Sequence, residues 1–421
     1  MVLVNTFGTG LFLTVSALYF TRVVGLSAGQ VGLGLTAGGI CGVVAAIPAG
    51  RAADRWGSRR VLIALYVTEA VGMTAYTQVH RFSSFLVLVC VETAIVEAAG
   101  TVVGVLYAEA LPARTRVAGR AYLRAVANVA IGAGAAFASL ALQADTQAAY
   151  VAVIVANAVT FVVAAAMLPW IPMAAGGKTA EAGQAVSGAP DARQTAGRHR
   201  PGRGALADLP FIGVTVLNAL LALQFAILTV GLPLWIVQWT EAPRVMVAAT
   251  MVLNTALVVV LQVRATRVTR DLRSAARACR VAGLLLGVAC LAFGATHGLP
   301  GWTAVVVLVA GLVLQGVGEV LSQAGGWLLS YDLADPQATG AYQGVFNAGH
   351  VAALTLGPAL ITATAIAHDL AGWAALAAVF VLAGVSVPPA VRWATRERTC
   401  GLGDAVPTPA SDVHAEPASQ L

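Results

Sequence analysis

The chain has 421 residues, of which 58% are hydrophobic and 10% are charged, and its formal net charge is +6. A soluble domain could not bury so much apolar surface in one core, so the composition predicts an integral membrane protein. The basic residues are spread over short segments between apolar runs and form no single basic face, which argues against nucleic-acid binding.

Twelve apolar runs are long enough to cross the membrane, because a span needs about 20 predominantly apolar residues. They predict an all-α integral membrane protein with twelve transmembrane helices in two six-helix bundles. The ninth run is the weakest because it is short. The runs lie at roughly 2–23, 30–50, 61–79, 83–106, 121–142, 148–170, 211–236, 245–262, 281–296, 302–329, 343–363 and 370–389.

One long internal segment, 171–209, is rich in Gly, Ala, Pro and Arg and has no apolar period. This composition is typical of a flexible linker. It separates an N-terminal six-helix bundle, 1–170, from a C-terminal six-helix bundle, 210–389. The tail, 390–421, has the composition of a disordered segment. Neither the linker nor the tail resembles a soluble domain.

The distribution of basic residues predicts the orientation. If the segment 51–60 is cytoplasmic, all but three of the Lys and Arg residues outside the spans lie on the cytoplasmic side, and the three are Arg22, Arg81 and Arg244. Because cytoplasmic loops carry an excess of Lys and Arg, both termini are expected in the cytoplasm. Of the 25 basic residues only Lys178 is a lysine, a bias that favours a bacterial cytoplasmic (inner) membrane.

The five cysteines form no CxxC pair, so we expect no disulfide framework, no metal site and no cofactor. Apolar sequence begins at Val2, with no basic region ahead of it, so we expect no cleavable signal peptide. We also expect an upstream start codon that adds an arginine-bearing tail.

The most concentrated charge is the stretch "GRAADRWGSRR" between the second and third runs. It is similar to GxxxDRxGRR, the loop between spans two and three in the major facilitator superfamily of secondary transporters, with Ser58 where the first arginine of the final pair is usual. The matching positions are Gly50, Asp54, Arg55, Gly57 and Arg59. With twelve spans as six plus six, the chain therefore resembles this superfamily, and in particular its bacterial drug/proton antiporter-type members.

The resemblance implies that these five residues form a conformational latch that holds the two halves together while the cavity faces outward. The residue types suit such a contact, since a glycine lets a neighbouring helix approach closely and an aspartate is favourable at a helix N-terminus. The alternative is that the arginines are only topological anchors. The equivalent segment of the second half contains Asp271 and is basic, but it lacks both glycines.

Six ionisable residues fall inside the predicted spans, where a charge costs about 2.5–3.5 kcal/mol on insertion scales. They are expected to face a partner or a wet cavity, and they are Glu69, Glu92, Glu97, Arg124, Glu319 and His350. Amide side chains lie at helical spacing from three of these residues and therefore share a helix face with them. These amides are Asn128 after Arg124, Gln315 and Gln323 around Glu319, and Gln343 and Asn347 before His350.

From these residues we predict a set that couples protons or lines the cavity. It comprises Glu92, Glu97, Arg124, Asn128, Gln315, Glu319, Gln323, Asn347 and His350. The alternatives are a snorkelling Arg124, structural hydrogen bonds at Glu97 and Glu319, and a packing role for His350, which we favour over a proton carrier. Glu69 ranks lower because the family's third span is peripheral to the cavity. Asn254 and Gln224 are weaker cavity candidates.

The resulting prediction is a secondary active transporter that exports a small, partly apolar compound by alternating access, with embedded glutamates exchanging protons for substrate. The alternative is uptake of a sugar or organic acid, for which more aromatic and amide residues should line the cavity. A third possibility is a non-transporting membrane sensor or an enzyme, but the sequence has no HExxH motif and no soluble domain. The expected partners are a small-molecule substrate, protons and the lipid bilayer, with no nucleic acid and with the chain as a monomer.

Overall fold

The computed structural model describes residues 1–112, 114–171, 204–265 and 269–403. Within these residues twelve helical segments correspond to the twelve predicted runs, and no strand occurs. Ten of the twelve are long and apolar enough to cross a membrane. The segments are α1 Val2–Leu18, α2 Ala28–Trp56, α3 Ser58–Ala75, α4 Phe82–Ala110, α5 Arg116–Ala144, α6 Gln147–Met167, α7 Leu209–Trp239, α8 Val245–Ala265, α9 Leu272–Gly294, α10 Gly301–Asp332, α11 Thr339–Ile361 and α12 Asp369–Gly403.

The ninth helix is longer than predicted. The apolar run was expected to begin at 281, but α9 begins at Leu272 because a capping box stabilises its first turn. The Asp271 carboxylate accepts a hydrogen bond from the Ser274 backbone N–H at 2.7 Å, and the Ser274 hydroxyl accepts one from the Asp271 N–H at 3.0 Å. The hydrogen bonds from Ser274, together with two nearby arginines, hold the pKa of Asp271 below its usual value.

The linker and the tail differ from their predicted bounds. The helix α7 begins at Leu209, where the Asp208 carboxylate accepts a hydrogen bond from the Phe211 N–H at 3.0 Å. Most of the predicted linker, 172–203, lies outside the described residues. At the other end, α12 continues to Gly403, so the tail predicted to be disordered from 390 begins as helix.

The two halves repeat one pattern of helix pairs. In the N-terminal half α1 packs on α5, α2 on α4 and α3 on α6, and in the C-terminal half α7 packs on α11, α8 on α10 and α9 on α12. Each half encloses its own apolar core, which includes Phe85 and Ile154 in the first half and Trp235 and Phe380 in the second. Such internal repeats are a feature of secondary transporters.

The halves meet most closely along α2 and α11. A Cβ atom at Gly50 would lie 1.9 Å from the Gly340 carbonyl oxygen, and one at Gly39 would lie 2.6 Å from the Thr355 hydroxyl. Residue numbers fall along one helix as they rise along the other, so the two helices are antiparallel. On the other side of the interface α5 contacts α8 and α10.

The helix α7 is interrupted near its middle. A π-helical turn at Ile227–Gly231 follows the short turn that begins at Gln224, and Pro233 lies just beyond it. Such turns free backbone groups for other partners and are frequent at functional sites. Here the Gln224 carbonyl accepts a hydrogen bond from the Gln315 side chain at 3.4 Å, which ties α7 to α10.

Candidate functional site

A cavity of about 430 Å³ lies between the two halves. Side chains from α1, α3, α4, α5, α6, α7, α10 and α11 line it. The charged, amide and histidine side chains among them are Asn5, Glu69, Glu97, Arg120, Arg124, Asn218, Gln224, Gln323, Gln343, Asn347 and His350. The cavity is therefore a polar space inside an apolar protein, built by both halves.

The cavity occupies one side of the bundle. Its lining comes from the first turns of α1, the second half of α4 and α10, and the first half of α5 and α11. These parts are the middle and the predicted cytoplasmic ends of the helices, and no described lining residue lies at the opposite ends. In this conformation the cavity therefore lies on the predicted cytoplasmic side.

Asp54 forms the contact between the halves at the predicted cytoplasmic end. Its Oδ1 accepts a hydrogen bond from the Gly340 N–H at 2.7 Å, and its Oδ2 accepts one from the Ala341 N–H at 2.8 Å. These N–H groups belong to the first turn of α11, where they lack intrahelical partners and where the helix dipole favours an anion. Gly50 allows the approach, because any side chain there would meet the Gly340 carbonyl.

The other three motif residues stay within the N-terminal half. Gly57 has a φ of +88° and makes the tight turn between α2 and α3. Arg59 donates a hydrogen bond to the Ile171 carbonyl beyond the end of α6, and the Arg55 guanidinium lies 5.8 Å from the ring centre of Trp56. Of the five motif residues, Gly50 and Asp54 therefore contact the other half, and the role of all five as a latch stays a prediction.

A second contact between the halves was missed by the sequence analysis. The Arg120 guanidinium of α5 donates a hydrogen bond to the Tyr331 hydroxyl of α10 at 2.7 Å, and that hydroxyl donates one to the Gly104 carbonyl of α4 at 3.1 Å. The guanidinium also lies 5.1 Å from the ring centre of Trp327, within cation–π range. The available signal was the four-residue spacing that places Arg120 one turn before Arg124.

Glu97 contacts the other half near the middle of the membrane. The Asn347 amide of α11 lies 3.4 Å from a Glu97 carboxylate oxygen, 3.3 Å from the Glu97 carbonyl and 3.1 Å from the Thr101 hydroxyl. Glu97 and Asn347 both line the cavity. The structure thus brings together two predicted site residues from α4 and α11.

Glu319 lies behind the cavity wall in the C-terminal half. It is 4% exposed, and its carboxylate accepts hydrogen bonds from Asn254 at 3.2 Å and from Gln323 at 3.0 Å. Gln323 lines the cavity, whereas Gln315 is buried against α7. The polar residues predicted on one face of α10 therefore have different surroundings: Gln315 contacts α7, Glu319 contacts α8 and Gln323 lines the cavity. One hydrogen bond, from Gln323, connects Glu319 to the cavity lining.

Arg124 and His350 both line the cavity, and Asn128 is not among the residues that do. Arg124 exposes its side chain there and forms no hydrogen bond or ion pair within 4 Å with the residues that the structure describes. The carboxylate that attracts it electrostatically is Glu319. His350 packs edge-to-face on Phe225 with the ring centres 5.8 Å apart.

Glu69 and Glu92, the two remaining glutamates, each lie where the other was expected. Glu69, expected to be peripheral, lines the cavity although it is 3% exposed, and Glu92 lies outside the lining and is 2% exposed. The Glu92 carboxylate packs against Gly72 of α3, where a Cβ atom would lie 1.3 Å from its Oε1. The rotation of α4 about its axis turns Glu97 to the cavity and Glu92 to α3.

Amide and aromatic side chains are abundant in the lining, and Asn5, Asn218 and the aromatic residues were not identified from the sequence. Six amides line the cavity, and they are Asn5, Asn218, Gln224, Gln323, Gln343 and Asn347. Six aromatic side chains accompany them, and they are Tyr66, Tyr107, Phe161, Phe225, Trp327 and Phe346. This is the type of lining that the sequence analysis associated with a polar substrate.

Comparison with known proteins identifies the family and the fold. A family model described as Major Facilitator Superfamily matches residues 1–358, while a search of curated protein sequences finds no match. The human organic anion transporter MFSD10 (TETRAN) has a similar structure, with 14% identity, a TM-score of 0.68 and coverage of 92% of this chain and 96% of that chain. A bacterial homologue of the iron transporter ferroportin in an outward-facing state is also similar, with 14% identity and a TM-score of 0.69. The match covers 94% of this chain and 97% of that chain. The proton:xylose symporter XylE has 11% identity and a TM-score of 0.64, and the match covers 91% of this chain and 94% of that chain.

Proposed function

Because the chain belongs to the major facilitator superfamily and is a membrane transporter rather than an enzyme, we propose that it couples protons to the export of a small, partly apolar compound by alternating access. The observation that carries this proposal is the contact between Glu97 and Asn347. It joins the two halves inside the cavity through a carboxylate that can take up a proton.

Protonation of Glu97 would change that contact. A hydrogen bond to an ionised carboxylate is roughly twice as strong as one between neutral groups. Uptake of a proton by Glu97 therefore weakens its attraction for the Asn347 amide and loosens the halves. Arg124 lines the same cavity, and the carboxylate that its charge attracts is Glu319.

The lining also suits a solute with an apolar part. Phe161, Phe225, Phe346 and Trp327 present ring surface to the same space as the polar groups. Binding pockets for small molecules combine mostly apolar walls with a few polar groups that fix orientation. A compound with one polar group and an apolar body would use both kinds of surface.

Uptake of an organic acid or a sugar is the second candidate, and a specific observation favours it. The Arg124 guanidinium faces the cavity without a hydrogen bond or ion pair from a described residue, and desolvating an unpaired charge is costly. A solute with an acid group would pair with it, while the six amides of the lining would bind further polar groups. The structural similarity to a human organic anion transporter is consistent with this candidate.

Transport by reconstituted protein tests both candidates. Proteoliposomes loaded with a pH-sensitive dye are exposed to matched solutes that share one apolar body and carry a carboxylate, an amine or an amide. Proton movement opposite to the solute supports export, and movement with the solute supports uptake. Absence of solute-dependent proton movement with every compound, while solute exchange is intact, contradicts proton coupling.

We also propose that the protein lies as a monomer in the bacterial cytoplasmic (inner) membrane with both termini in the cytoplasm. The excess of basic residues on that side supports the orientation. A phosphatase fused after the last residue is active only outside the cytoplasm and should be inactive. An active fusion would contradict the orientation.

A further inference from the structure

Glu69 and Glu92 lie close together between α3 and α4, inside the N-terminal half. The Glu92 carboxylate packs against Gly72, which follows Glu69 by three residues and therefore shares its face of α3. The two carboxyl groups lie close enough to interact electrostatically. They form a pair that belongs to one half of the protein and does not reach the other.

The pair is buried and lacks hydrogen-bond donors. Three of its four carboxylate oxygens, Oε2 of Glu69 and both oxygens of Glu92, are buried without a partner among the described residues. An ionised carboxylate without partners is so unfavourable in an apolar interior that it binds a proton instead. Because like charges oppose each other, the two groups also disfavour double ionisation.

No described cation faces the pair. The pair interacts electrostatically with two tyrosines, Tyr66 near Glu69 and Tyr76 near Glu92. From α6 Asn157 donates to the Met73 sulfur, and from the end of α1 Tyr19 donates to the Tyr76 carbonyl. No cluster of three metal-ligating side chains occurs in the described part of the chain, and α3 and α4 are continuous helices here that offer no free carbonyls. The chemistry of the pair therefore suits a proton and not a metal ion.

The two carboxylates differ in access. Glu69 lines the cavity, whereas Glu92 does not and lies behind α3. Water in the cavity can exchange a proton with Glu69 directly. Glu92 has no such contact, so we expect its proton to pass by way of Glu69, as an O–H bond forms on one carboxylate and breaks on the other.

We propose that Glu69 and Glu92 form a proton-binding site of the N-terminal half that is loaded from the cavity and that the solute does not occupy. This inference rests on the proposed proton coupling and adds a second site to Glu97. Its consequence is that the proton at Glu92 acts on transport through the packing of α3 against α4. Proton and solute need not compete for one position.

Infrared spectroscopy of the purified wild-type protein tests the site without any solute. The C=O stretch of a protonated carboxyl is separate from the bands of ionised carboxylates, so a pH titration reports the protonated groups. We expect Glu92→Gln to remove one component of this band and Glu69→Gln to remove another and to slow the protonation of Glu92. Glu397→Gln, at an exposed position on α12, is the matched control. An unchanged band in Glu92→Gln would overturn the proposal.

A second variant changes the surroundings of Glu92 and keeps its carboxyl group. Gly72→Ala places a methyl group on the position of Glu92 Oε1 and should shift the same component of the infrared band. Gly132→Ala on α5, where a Cβ atom meets nothing within 4 Å, is its control. A shift that is equal in both variants would mean that the band does not come from Glu92.

Transport measurements separate this inference from the proposed function. If the wild-type protein moves protons with a solute, Glu92→Gln should lower the number of protons moved per solute and leave the binding of the solute unchanged. An unchanged proton count would overturn the inference and leave the proposed function intact. If the wild-type protein moves no protons, the proposed function fails, while the infrared titration still decides whether the pair binds them.

Discussion

Asp54 and Gly340 are joined by a hydrogen bond of 2.7 Å, although one belongs to the end of α2 and the other to the start of α11. A second bond from the neighbouring N–H makes the contact bidentate. Because α2 and α11 belong to different halves, any motion that separates these helix ends must break both bonds. The contact can therefore select one arrangement of the halves.

We expect Asp54→Asn to impair transport without impairing folding. The amide keeps one acceptor oxygen but turns an NH2 group toward a backbone N–H, and hydrogen bonds to charged groups contribute about 1.5–3 kcal/mol. Losing that much from one conformation shifts the balance of states by about ten- to a hundredfold. Transport in proteoliposomes and solute binding in detergent measure the two effects separately.

The control for this substitution is Asp145→Asn. Asp145 forms an exposed ion pair with Arg22 at 2.8 Å, and exposed pairs contribute little. This variant should transport like the wild type. If Asp54→Asn does so too, the Asp54 contact is only a topological anchor.

Gly340→Ala should weaken the same contact from the other helix. Its methyl carbon would lie 2.1 Å from the Gly50 carbonyl oxygen and 2.7 Å from Asp54 Oδ1. Neither backbone can yield without separating α2 from α11, so transport should fall although both hydrogen-bonding groups of Asp54 remain. Cross-linking of cysteines placed on the two helix ends measures the separation. Cross-linking as efficient as in the wild-type background would contradict the close approach.

The motif could be interpreted from the sequence because its residues match the loop between spans two and three of the family, and a glycine followed by an aspartate one turn later suits a close contact with a helix N-terminus. The sequence does not show the partners, because Gly340 and Ala341 lie 286 and 287 residues after Asp54, and the partner of Arg59 lies beyond the end of α6. The spacing of Glu92 and Glu97 places them about 140° apart on a helix at roughly 100° per residue, but the helix rotation that turns Glu97 to the cavity is set by packing against α2, α3 and α11.

Helix boundaries explain the other omission. Arg120 was assigned to a loop, whereas α5 begins at Arg116 and carries it toward α10. From the sequence alone, the basic residues of this loop are indistinguishable from topological anchors. Only the position of Tyr331 shows that one of them joins the halves.

Tyr331→Phe should loosen the predicted cytoplasmic end of the cavity. The substitution removes the hydroxyl that accepts from Arg120 and donates to the Gly104 carbonyl, while the ring that stacks on the guanidinium remains. The bond from the charged guanidinium contributes about 1.5–3 kcal/mol and the neutral bond to the carbonyl about 1 kcal/mol, so the effect should be comparable to that of Asp54→Asn. The rate at which a thiol reagent modifies a cysteine placed in the cavity lining reports the opening, and it should rise. A rate equal to that of the matched cysteine variant with Tyr331 intact would contradict a gating role.

Substitutions of Arg124 should reveal the charge of the solute. If the solute carries an acid group, Arg124→Gln should weaken its binding about tenfold or more, because a charged pair in the cavity is lost. Arg124→Lys should restore part of the affinity, since the charge remains without the planar fork. Binding measured by the shift in Tm with a carboxylate and its matched amide tests this. Equal shifts with both compounds in the wild type would exclude an acid solute.

The last prediction concerns the carboxylates that couple protons to the solute. Glu97 bonds to Asn347 across the halves, and Glu319 accepts from Asn254 and Gln323 within the C-terminal half. Glutamine preserves the size of either side chain but cannot exchange a proton. Glu97→Gln and Glu319→Gln should therefore abolish transport driven by a pH gradient and still permit exchange of labelled for unlabelled solute, because exchange requires no net change in protonation. Each variant is assayed in both modes on the same proteoliposomes, so a folding defect would appear as loss of exchange. If both variants retain wild-type transport driven by the pH gradient, neither carboxylate carries the coupled proton, and the Glu69 and Glu92 pair becomes the site to test.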